Sequence, residues 1–87
     1  MNNTDEVYRL TRLMTPIADM AILMGISEVD LRMLLESPET EEYAAYHKAR
    51  AEVGLMIRQK NIELAEAGSP TASDAVEYYY KTMLIDL

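Results

Sequence analysis

Apolar positions recur at helical spacing along the whole chain, broken by proline and glycine at intervals that mark element ends. Val7, Leu10, Leu13 and Met14 lie near one face of a first helix, because residues three and four apart share a helix face. Asn3 or Thr4 can cap that helix, with Asp5 and Glu6 placed favourably in its first turn. It should end near Met14. The pair Thr15-Pro16 then signals a second start, since proline at the first helical position gives up an N–H that would have no partner there anyway. A second helix is expected from Pro16 to about Met24.

Gly25 sits where the chain must turn, and glycine accepts the positive φ such a turn requires. Ser27 follows as the cap of a third helix, with Asp30 three residues on in capping-box spacing. Ala21 lies four residues before Gly25, small enough for two helices to cross closely, and Met20, Met24, Ile26, Leu31 and Leu34 supply apolar contacts that would fix the crossing. These spacings are those of a helix-turn-helix, in which the second helix of the pair is offered to the major groove.

Ser37 and Pro38 close the third helix, and "SPETEEY" opens a fourth with acids in its first turn. No proline interrupts from there to Ala67, so a helix of roughly 30 residues is expected, about 45 Å long. Gly54 is its one weak position, and Gly68 its stop. Ser69 or Thr71 then caps a fifth helix running to about Ile85, with Pro70 in its first turn. So short a connection predicts an antiparallel αα-hairpin. Val53, Ile57 and Leu64 on one helix, and Ala72, Val76, Tyr79 and Met83 on the other, have the spacing for its seam.

The predicted fold is thus all-α in one compact chain without a flexible linker. Residues 1–37 form a three-helix helix-turn-helix unit, and residues 38–87 a helical hairpin that oligomerises. The fourth helix is longer than a compact chain of 87 residues is wide, so part of the hairpin should project and need cover. Leu55 and Ile62 add apolar surface off the seam, and Tyr78 and Tyr80 flank Tyr79 around the fifth helix. Tyrosine is enriched where apolar surface meets a polar rim. Self-association through Leu55, Ile62, Tyr78 and Tyr80 is therefore expected.

Composition narrows the chemistry. There is no cysteine, which removes disulfides, thiol nucleophiles and cysteine-based zinc sites. The N-terminus "MNNTDEVYRL" has neither the basic start nor the apolar run of a signal peptide, and no apolar run approaches a membrane span. A soluble, cytoplasmic protein is expected. His47 is the single histidine and has no partner at ligand spacing, so an ordinary helix-surface role suits it best. The pairs Asp74 with Glu77 and Glu63 with Glu66 read as solvated helix faces. No phosphate-cradling glycine motif is present. The chain is expected to be no enzyme and to need no cofactor or metal.

Charge complicates DNA binding. The formal net charge is −7, whereas nucleic-acid modules usually carry a basic face. On the expected recognition helix, Arg32 can reach guanine or phosphate, Ser27 a phosphate near the helix start, and Val29 or Met33 a thymine methyl. Arg9 and Arg12, three apart on the first helix, are the expected auxiliary phosphate contacts. Against them stand Glu28, Asp30 and Glu36, which leave residues 27–36 net acidic. Capping and the helix dipole account for Glu28 and Asp30 at a helix start.

Two segments together resemble a known family. "TPIADMAILMGISEVDLRMLLESPE" and "YHKARAEVGLMIRQKNIELAEAGSPTASDAVEYYYKTM", covering most of Thr15 to Met83, are similar to bacteriophage terminase small subunits and related phage-type DNA-packaging proteins. The second segment looks like that family's long helix, A-x-x-G-x-P-type turn and aromatic-containing return helix. The resemblance implies recognition of viral double-stranded DNA, ring-like homo-oligomer assembly and delivery of DNA to an ATP-driven large subunit. It also places Ser27, Val29, Arg32 and Met33 in the DNA-facing helix. Two other functions fit the same sequence: a small transcription regulator of the same fold, and an acidic protein-interaction module that never meets DNA.

Overall fold

A computed structural model describes residues 2–86, which leaves Met1 and Leu87, the outer bounds of the two expected segments, outside the described residues. Five helices follow in order: α1 (Asn3–Arg12), α2 (Ile17–Met24), α3 (Glu28–Glu36), α4 (Glu41–Glu66) and α5 (Pro70–Ile85). Among the described residues there is no strand, and the protein is all-α. None of these helices is long and apolar enough to cross a membrane.

One device starts four of the five helices. A side-chain oxygen accepts the backbone N–H three residues ahead: Asn2 from Asp5 at 2.8 Å, Ser27 from Asp30 at 3.1 Å, Thr40 from Tyr43 at 3.0 Å and Ser69 from Ala72 at 3.3 Å. Each satisfies an amide with no partner inside its helix. The first cap is therefore Asn2, not Asn3 or Thr4, because α1 begins one residue earlier than its acids suggest. Pro16 stands at the cap position of α2, with no side-chain bond, and not inside the first turn.

Three helices also end alike. The N–H five residues on reaches back to the carbonyl of Leu10, Ala21 and Leu64, at 3.0, 3.1 and 3.0 Å, across a residue in the left-handed conformation. Gly25 (φ 72°) and Gly68 (φ 101°) occupy two of these places, but Met14 (φ 61°) occupies the third. The end of α3 is different: Ser37 is extended, and Thr40 Oγ1 lies 2.7 Å from the Leu34 carbonyl and 2.9 Å from that of Ser37. The Thr40 hydroxyl thus ties off α3 while capping α4, which begins after it and runs for 26 residues.

The chain divides into two compact units, residues 1–53 and 54–87, so the break falls inside α4 where the sequence suggested residues 37 and 38. The reason lies in the first half of α4. Ala45 and Tyr46 pack on a core of Val7, Leu10, Met20, Ala21, Leu31 and Leu35, joined by Ile17, Met24 and Ile26. Met20, Leu31 and Val7 are fully buried, and burying side chains of this size contributes roughly 1.5–3 kcal/mol each.

The second unit, the rest of α4 with α5, buries far less. Ala72 is its one buried apolar side chain among the described residues. Ala65, Ala75, Val76 and Tyr79 are half-buried, and Asn61 Nδ2 donates to Tyr79 Oη at 2.8 Å. The seam expected from spacing is corrected here: Ile57, Leu64 and Met83 stay exposed, and Val53 belongs to the first unit. Ala72, Val76 and Tyr79 of the expected seam do lie inward, joined by Ala65, Ala75 and Asn61.

Candidate nucleic-acid interface

The outward side of α3 is set by what α3 buries. Leu31 and Leu35 face the core, which turns Glu28, Val29, Arg32, Met33 and Glu36 to solvent. Val29 is 69% and Met33 62% exposed, so neither apolar side chain has a role in packing. Ser27 precedes them with its oxygen committed to the Asp30 amide. That bond uses the Asp30 backbone N–H and not its carboxylate, so among the described residues the reciprocal half of the expected capping box is not made, while Glu28 does more than complement the helix dipole.

Arg32 Nε donates to Glu28 Oε2 at 3.0 Å, one helical turn away. The two α1 arginines are engaged as well, each differently. Arg9 makes a two-point contact within its own helix, Nε to Glu6 Oε1 at 3.3 Å and Nη2 to Glu6 Oε2 at 3.1 Å. That contact lowers the Glu6 carboxyl below its ordinary pKa and raises the Arg9 guanidinium above its own. Arg12 lies 3.7 Å from Glu52 Oε1 on α4, and Tyr8 donates its hydroxyl to the same oxygen. The hydrogen bond to Glu52, and the charge there, push the Tyr8 phenol up. Arg9 and Arg12 share a helix face by spacing, yet their guanidinium groups are drawn to different carboxylates.

All three arginines expected to meet phosphate are therefore held by a carboxylate. These pairs are exposed or partly exposed and so individually weak. Each would still have to be exchanged for a phosphate contact. Thr4 adds a further link between α1 and α4, with its hydroxyl 3.5 Å from Glu41 and Glu42 oxygens.

Sequence reasoning missed a cluster on the first half of α4. The Tyr43 and His47 rings lie 4.1 Å apart, Tyr46 meets His47 edge-on at 5.5 Å, and the Arg50 guanidinium carbon stands 5.3 Å from the Tyr46 ring centre. Their spacing of three and four residues was the available signal. His47 thus sits between two tyrosine rings on an exposed helix surface. Among the described residues no three His, Cys, Asp or Glu side chains gather as a metal site would require.

The second unit carries Leu55, Ile62, Tyr78 and Tyr80. All four are exposed and line one groove of about 1120 Å³ between the second half of α4 and α5, with Arg58 and Met83. No protein-family model, curated protein or solved structure matches the chain.

Proposed function

We propose that the chain is a non-catalytic DNA-binding subunit similar to phage terminase small subunits. On this reading α2, the Gly25 turn and α3 act as a helix-turn-helix. The rest of α4 and α5 act as an antiparallel hairpin joining copies through Leu55, Ile62, Tyr78 and Tyr80. The observation that carries it is the outer side of α3: an N-capped helix after a left-handed turn, its Leu31 and Leu35 in the core, its Val29 and Met33 exposed, and its Arg32 on the same outer side in a single exposed pair with Glu28. Few cations per subunit give weak binding by one copy, and several copies in an assembly compensate through effective concentration. A separate ATP-driven large subunit would supply the motor.

One observation favours a second reading, an acidic protein-interaction module. Arg9, Arg12 and Arg32 are each paired with an acid, and the exposed Val29 and Met33 suit an apolar partner as well as thymine methyls. Titrating the full chain onto labelled duplex DNA over a salt series separates the two. Packaging-type binding gives an affinity falling linearly with salt on logarithmic axes, the slope counting phosphates met. Absence of binding at the lowest salt sinks the DNA reading and leaves the interaction module.

A further inference from the structure

We infer that Arg50, seated on the Tyr43–Tyr46–His47 ring cluster of α4, is a phosphate contact of this protein, a role the helix-turn-helix does not assign. The inference rests on the DNA-binding reading and names a contact for it outside α3. Its first ground is charge availability. Arg9, Arg12 and Arg32 have carboxylate oxygens at 3.1, 3.7 and 3.0 Å, whereas Arg50 has no carboxylate partner among the described residues.

The sequence explains why. The helical neighbours of Arg50 three and four positions away are Tyr46, His47, Val53 and Gly54, none acidic. The nearest acids on α4 are occupied elsewhere, Glu42 close to the Thr4 hydroxyl and Glu52 with Tyr8 and Arg12. Arg50 therefore offers an anion a full positive charge with no internal pair to break.

The second ground is pre-organisation. Tyr46 is half-buried and packs on the first unit's core, so the ring beneath the Arg50 guanidinium is anchored. A guanidinium over a tyrosine face keeps its N–H groups free for a phosphate. Tyr43 and His47 extend the same surface with side-chain groups able to meet a sugar-phosphate backbone.

Lys48 supplies an internal control. It also lacks a carboxylate partner among the described residues, and it lies two positions from Arg50, about 160° around the helix at 3.6 residues per turn. It carries the same charge without the ring cluster. The test is a salt-series titration of duplex DNA with the full chain and with Arg50→Gln, Arg50→Lys, Lys48→Gln and Arg32→Gln, helicity being checked for each. Arg50→Gln is expected to flatten the logarithmic salt slope by about 0.9, one phosphate, and to weaken low-salt binding several-fold. Arg50→Lys should keep the slope and Lys48→Gln should leave it nearly unchanged.

An unchanged slope in Arg50→Gln, with the parent chain binding, overturns this contact and leaves the DNA reading intact. Equal flattening by Lys48→Gln also overturns it, since net charge alone would then be at work. Loss in Arg50→Gln without loss in Arg32→Gln supports the contact and removes α3 from the interface. A parent chain that binds no DNA at any salt overturns both.

Discussion

At the scale of single residues, one buried side-chain polar atom among the described residues has no partner, and it makes a sharp prediction. Thr11 is 6% exposed, and its hydroxyl oxygen has no hydrogen bond among the described residues. A buried hydroxyl left unpaired costs free energy that an apolar group of the same shape does not. Thr11→Val keeps the shape and removes that cost. Urea unfolding should show the variant more stable by about 1 kcal/mol. A less stable variant would mean that the hydroxyl finds a partner in solution.

The elements show what spacing alone can and cannot reveal. All five helices were legible, because caps, prolines and glycines punctuate the chain by local chemistry. Met20 and Leu31 were identifiable as core contacts, with Met24 and Ile26 packing around them, whereas Leu34 was expected where Leu35 is buried. Ile57, Leu64 and Met83 were not placed correctly, because periodicity names the apolar positions of a helix without saying which have a neighbour to cover them. The pairing of Arg32 with Glu28 was readable from its four-residue spacing, while that of Arg12 with Glu52 depends on tertiary placement. Met14 was hidden for another reason: nothing in a methionine announces a left-handed backbone. At φ 61° it occupies a conformation costing an L-residue about 1–2 kcal/mol, partly offset by the greater freedom glycine has when unfolded. Met14→Gly should therefore raise stability by about 0.5–1 kcal/mol in thermal or urea unfolding, with little packing lost from a side chain already exposed.

For the molecule as a whole, the two units differ in how far they complete their own burial. The first has a shared core drawn from four helices. The second leaves Leu55, Ile62, Tyr78, Tyr80, Met83, Leu84 and Ile85 exposed around little more than Ala72. A helix pair with so little inside is marginal on its own and would gain stability from any surface that covered it. If copies of the chain do so, sedimentation velocity should show mass rising with concentration, and the thermal midpoint should rise with it. A single species of monomer mass across a hundredfold concentration range would rule out self-association as the cover.

The same unevenness of burial bears on chemical durability. Met20 is sealed in the first unit's core, whereas Met14, Met33, Met56 and Met83 are exposed. Thioether oxidation follows access and turns an apolar side chain into a polar one. Under mild peroxide the outer four should become sulfoxides well before Met20, as peptide mass spectrometry would record. Ageing would then make the exposed surface more polar while the fold beneath it stayed intact.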